Sequence, residues 1–194
     1  MPVFTVSFCA VIAAVYILDT FFLIPKNVPV SPKEKLLTGH NKGYLNRALH
    51  LSERKIKKGE VWRLISSALL HVGTFHVLFN TAAMLIVGYA VETQLGAVKT
   101  LLCYLASAFC SGLFMAFVYK LDEGEGASPG IYGLIAVFGI LAFKNGTVLF
   151  SGVPVVLLIV LAVYVVSGFF GGKAILCEHL SGFVGGVLIG LLLT

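Results

Sequence analysis

The stretch GASPG, Gly126 to Gly130, puts a serine and a proline where an acidic loop, Asp122 to Glu125, gives way to a long apolar run. Ser followed by Pro is an ordinary helix start. The hydroxyl can cap free backbone N–H groups, and proline at the first helical position misses no hydrogen bond. A hydroxyl held at a helix start inside a membrane, beside a glycine that permits close approach, can equally serve as a nucleophile. The pentapeptide is compatible with both roles, and the rest of the chain has to decide between them.

Of the 194 residues, 58% are hydrophobic and only 12% are charged, with a mean hydropathy of +0.97. A soluble domain is about half apolar and about a quarter charged, so the composition points to an integral membrane protein. A spanning helix needs roughly 20 mostly apolar residues, and the apolar runs between charges support six. They are expected at about 2–24, 74–92, 97–119, 128–143, 147–168 and 174–193, in a single domain covering 1–194, with Pro154 a candidate bend in the fifth. The first run is too long for a leader peptide and lacks a basic start and a small-residue cleavage site, so it is expected to be a retained anchor. The fourth is short: at 1.5 Å per residue it reaches only ~24 Å against a hydrocarbon core of ~30 Å. Ser128 is therefore expected below one membrane surface.

A long basic loop, 25–73, follows the first helix. Ten of the fourteen Lys and Arg residues lie between Lys26 and Arg63, a distribution that suits a membrane surface or a topology signal rather than nucleic acid. Its tract from Asn46 to Lys58 can form a short amphipathic interfacial helix presenting Leu49, Leu51 and Ile56, and Asp19 near the end of the first helix is expected to snorkel to the interface. The four cysteines have no metal-ligand or paired spacing, so no disulfide framework, metal or cofactor is expected.

Two polar clusters in otherwise apolar helices accompany Ser128. His76 and Asn80 are four apart and share a helix face, with His71 upstream. His179 is followed at +3 and +7 by Gly182 and Gly186, a small-residue stripe that admits a close helix neighbour, and Gly126, Gly130 and Gly133 offer the matching surface. Tyr132, four residues after Ser128, projects on the serine's side. Each cluster alone is ordinary helix packing; together they hold a nucleophile, a base and oxyanion donors, the parts of acyl transfer. Glu178 lies about 100° around the helix from His179 and is not placed to orient the imidazole. Cys177 faces away from His179, which argues against a cysteine hydrolase. No inverted repeat or interrupted helix pair suggests a transporter.

These residues resemble the rhomboid intramembrane serine proteases over most of Trp62 to Gly190. The matching pieces are Trp62-Arg63, HVGTFHVLFN from His71 to Asn80, Glu92 and Gly96, GASPGIYG from Gly126 to Gly133, and HLSGFVGG from His179 to Gly186. The resemblance implies an all-α rhomboid-like bundle of six transmembrane helices with a long loop after the first. It implies a Ser-His dyad of Ser128 as nucleophile and His179 as general base, with His76, Asn80 and the Ser128 N–H as oxyanion hole and Tyr132 packing on the base. Trp62, Arg63 and His71 would brace the loop after the first helix, and Glu92, Gly182 and Gly186 would be structural. The implied partners are the lipid bilayer and transmembrane protein substrates cleaved in a multi-pass protein of the cell membrane. The alternative is a non-catalytic rhomboid-like binding or quality-control factor. Two features depart from the family. Pro129 stands where glycine usually follows the serine and brings no N–H. The family topology with its N-terminus inside would put the basic connection outside, against the positive-inside rule, and the facing direction stays open.

Overall fold

A computed structural model describes residues 2–23, 43–146 and 155–194, and among these the chain is all-helical apart from one isolated bridge. Six helices are labelled here: α1 (Val3–Ile17), α2 (Thr74–Leu95), α3 (Ala97–Leu113), α4 (Ser128–Lys144), α5 (Val155–Phe170) and α6 (Lys173–Leu193). Wider π turns extend α1 through Leu18–Phe22 and α3 through Phe114–Tyr119. With these extensions α1, α2, α3 and α6 are long and apolar enough to cross a membrane, whereas α4 and the apolar part of α5 are shorter. The bundle exposes a belt of large apolar side chains, among them Val98, Phe143, Phe170 and Leu192. Such a continuous apolar exterior is stable only in lipid. The protein is an integral membrane protein.

Helix α4 packs against three of its neighbours. Every residue of α4 from Ser128 to Leu134 is buried, against α6, α3 and α2. Close packing here depends on missing side chains. A Cβ on Gly182 would lie 2.7 Å from Pro129 Cα, one on Gly186 would overlap the backbone of Gly133, and one on Gly130 would enter the ring of Tyr104. Gly182 and Gly186 of α6 thus meet the backbone of α4 at Pro129 and Gly133, whereas Gly130 admits Tyr104 of α3 and Gly126 faces His76, so only part of the expected matching stripe lies in the α4–α6 seam. Without a hydrophobic drive between helices in lipid, such close approach supplies much of the association through dispersion. The single-residue link between α2 and α3 is Gly96, whose φ of +78° suits a residue without Cβ.

Segment 43–73 differs from a single interfacial helix. It holds short helical turns at Tyr44–Leu49, Glu53–Ile56 and Arg63–Ser66, the last continued by a 3-10 turn at Ser67–Leu69. Leu51 and Ile56 pack on Leu64, Met115 and Ala116 of the protein instead of facing lipid. Leu51 and Gly124 exchange backbone hydrogen bonds of 2.8 and 3.3 Å, so this segment is tied to the loop that precedes Ser128. Arg54 and Ser52 add an ion pair and a hydrogen bond to Asp122. Asp19 does not snorkel. It is buried and accepts from the backbone N–H groups of Leu45 (2.7 Å) and Asn46 (3.1 Å), capping the first of the short helices. The earlier part of the basic loop and the Pro154 bend lie outside the described residues.

Candidate active site

Four elements converge on one cavity of about 260 Å³, lined by His76 and Asn80 of α2, Ser128 of α4, Tyr164 and Gly168 of α5, and Glu178 and His179 of α6. Ser128 is 6% exposed and His179 8%, so both face this cavity from within the bundle. Ser128 is the first residue of α4, with Ala127 at the N-cap position, so the serine is not the capping residue. The cap reading of Ser128 is therefore replaced: proline in the first turn starts the helix, and the hydroxyl is left for other work. The turn before it is pinned by Gly126 N–H donating to Ser67 O (3.1 Å) and Ala127 N–H donating to His71 Nε2 (3.4 Å). Gly126 has a φ of +147°, and a Cβ there would approach His76 Nε2 to 3.2 Å and Ser128 Oγ to 3.5 Å. Gly126 thereby lets His76 and the serine approach one another.

His179 stacks on Tyr132, ring centroids 4.1 Å apart and 13° from parallel. Its Nδ1 edge faces Gly168 and has no hydrogen-bond partner, which leaves Nε2 as the nitrogen available to Ser128. Serine and base share the cavity without a resting hydrogen bond, an arrangement common in unliganded sites. Glu178 lines the same cavity and makes no bond to the imidazole, in line with its angular offset on α6. Asn80 is fully buried. Its Nδ2 donates to His76 O (3.0 Å), and its Oδ1 accepts from Tyr164 Oη (2.8 Å).

Arg63, 2% exposed, donates to His50 O (2.9 Å) and pairs with Glu60, holding the segment after α1. Trp62 is 53% exposed. His71 accepts from the N–H of Ala127, which ties it to the turn before Ser128. Burial pushes its pKa down to about 3, with neighbouring His76 adding to the shift, so the ring stays neutral and can accept from Ala127. Glu92 accepts from Phe4 N (2.9 Å), Thr5 N (2.8 Å) and Thr5 Oγ1 (2.7 Å), binding the start of α1 to the end of α2. Among the described residues no group of three or more His, Cys, Asp or Glu side chains could hold a metal. Cys177 lines a separate apolar groove with Cys110 and Phe114.

The family model of the Rhomboid domain matches residues 58–194, about 70% of the chain. The chain belongs to the rhomboid family. It is 29% identical over 183 residues to the putative rhomboid protease YdcA of Bacillus subtilis, covering 94% of this chain and 85% of that one. It is 31% identical over 131 residues to rhomboid protease GluP of the same organism, covering 68% of this chain, which spans only 26% of that relative's length. Rhomboid protease GlpG of Haemophilus influenzae is 28% identical over 153 residues, 74% of this chain and 76% of that one. Within this rhomboid chain, α5 contributes what the sequence reading missed: Tyr164 and Gly168. The available signal was a lone tyrosine hydroxyl with Ser167 in the most apolar helix, where polar groups need a partner.

Proposed function

We propose that this rhomboid is an intramembrane serine endopeptidase, a single membrane domain of six spans that cleaves transmembrane segments of other proteins in the cell membrane. The carrying observation is that Ser128, His179, His76 and Asn80, drawn from three helices, line one cavity. The names of its relatives as proteases support the same reading.

In this reading a substrate segment reaches the cavity laterally and unwinds there, because helical carbonyls are hydrogen-bonded and shielded. Ser128 Oγ attacks the scissile carbonyl while His179 Nε2 takes the hydroxyl proton. The oxyanion is held by His76, Asn80 Nδ2 and Ser128 N–H; Pro129 contributes no donor. Collapse breaks the C–N bond, and His179 returns the proton to the leaving amine. Water then attacks the acyl-enzyme with His179 again as base, releasing the new carboxyl end and restoring Ser128.

The test is labelling of the detergent-solubilised protein by a serine-directed fluorophosphonate, comparing wild type with Ser128→Ala and His179→Ala. Loss of labelling in both variants is expected. Equal labelling of all three would sink the dyad and favour a non-catalytic binding or quality-control role.

A further inference from the structure

Helix α5 carries no member of the proposed dyad or oxyanion hole, yet it touches both. Tyr132, which stacks on the base, donates its hydroxyl to Val165 O of α5 at 3.1 Å. Four residues along the chain from Gly168, Tyr164 is buried and donates to Asn80 Oδ1 at 2.8 Å. We propose that Tyr164 is a positioning residue of this rhomboid, orienting the Asn80 amide so that an N–H, not the carbonyl, faces the developing oxyanion. This inference rests on the protease reading and deepens it.

An asparagine side chain is nearly symmetric in shape, but its two ends are opposite in chemistry: Oδ1 only accepts and Nδ2 only donates. Asn80 is 0% exposed, so water does not choose between them. Two contacts do. The carbonyl of His76 accepts one Nδ2–H, and the Tyr164 hydroxyl occupies Oδ1. In the proposal the second Nδ2–H is the one that serves the oxyanion. If the hydroxyl is removed, Oδ1 is left buried without a donor, and the amide gains by turning or tilting toward whatever donor the cavity holds, a substrate N–H or a water. The amide then meets the oxyanion with the wrong atom for part of the time. Preorganised donors work because they need no reorientation during reaction, and losing one outright costs about 10²–10³ in rate. A donor present but free to turn costs less, on the order of tenfold.

Tyr164→Phe removes one oxygen and retains the ring and its packing on Tyr132, 5.6 Å away. The experiment measures kcat and KM on a transmembrane reporter, the fluorophosphonate labelling rate and the thermal midpoint. It uses wild type, Tyr164→Phe, Asn80→Ala and the double variant, each full length in detergent. The expected result is about a tenfold fall in kcat and in labelling rate for Tyr164→Phe, with KM within about twofold. In the Asn80→Ala background the same substitution should change both rates by less than about twofold, because there is no amide left to orient. A Tyr164→Phe loss of equal size in both backgrounds, or carried by KM, would assign Tyr164 to general packing and overturn the proposal; so would the absence of any loss. These outcomes are distinct from failure of the dyad, which appears as labelling that survives Ser128→Ala.

Discussion

Gly168→Ala gives a sharp prediction, because the geometry that it perturbs lies directly behind the base. A Cβ at 168 would stand 2.6 Å from His179 Nδ1 and overlap Tyr132 Oη, whereas ordinary contact begins near 3.4 Å. Either α5 must move away or both the Tyr132 hydroxyl and the imidazole must yield, the imidazole by about 0.8 Å, on the scale at which dispersion contacts are made or lost. The imidazole is stacked on Tyr132, so a push on its Nδ1 edge displaces it within the ring plane. Misplacement of a catalytic group by about 1 Å costs on the order of 10²-fold, or roughly 2.7 kcal/mol of transition-state stabilisation. The cost in stability is smaller. Overpacking takes ~1–3 kcal/mol, while alanine is a better helix former than glycine by about 1 kcal/mol. The assay pairs fluorophosphonate labelling with the thermal midpoint in detergent. Labelling should fall about a hundredfold while the midpoint moves by only a few degrees. Labelling within about twofold of wild type would show that the imidazole does not depend on the missing Cβ, and the reasoning would fail.

Other expected outcomes follow from the same contacts. Pro129→Gly restores a backbone N–H beside the serine and should raise the labelling rate several-fold, measured against wild type under identical lipid conditions. Glu92→Gln weakens three hydrogen bonds to the first turn of α1 and should lower stability by about 1–3 kcal/mol, read as a drop in thermal midpoint with labelling retained below it. His71 is held at a folded pKa of about 3 against the usual 6.5, so the unfolded chain binds its proton first. Its contribution is full above about pH 6.5 and is lost as pH falls toward 3. Stability measured over that window should therefore fall with acid by up to one proton's slope, and His71→Gln should remove that part of the slope.

Much of the architecture is legible in composition and spacing because the bilayer is an exacting solvent. Apolar runs long enough to span it read directly as α1, α2, α3 and α6, and helix periodicity puts His76 with Asn80 and His179 with Gly182 and Gly186 without any knowledge of neighbours. The family likeness then suggested the roles proposed for Ser128 and His179, which spacing alone left open. Other assignments needed tertiary contacts. Asp19 reads as an interfacial carboxylate, but it caps a helix that begins 25 residues later, a partnership that no local rule contains. Trp62 and Arg63 are adjacent, yet one is exposed and the other buried, because only the guanidinium meets the carbonyls of Arg47 and His50.

The opening stretch divides along the same line. That GASPG begins a short apolar helix is written in the residues themselves: proline is tolerated in the first turn, and the run that follows is shorter than the hydrocarbon core is thick. That Ser128 is not the capping residue, with His76 beside it and α5 bracing both Asn80 and His179, depends on where four helices cross. Side-chain chemistry and period are properties of the sequence, but distance between helices is set by which glycines meet which backbones, and that exists only in the folded bundle.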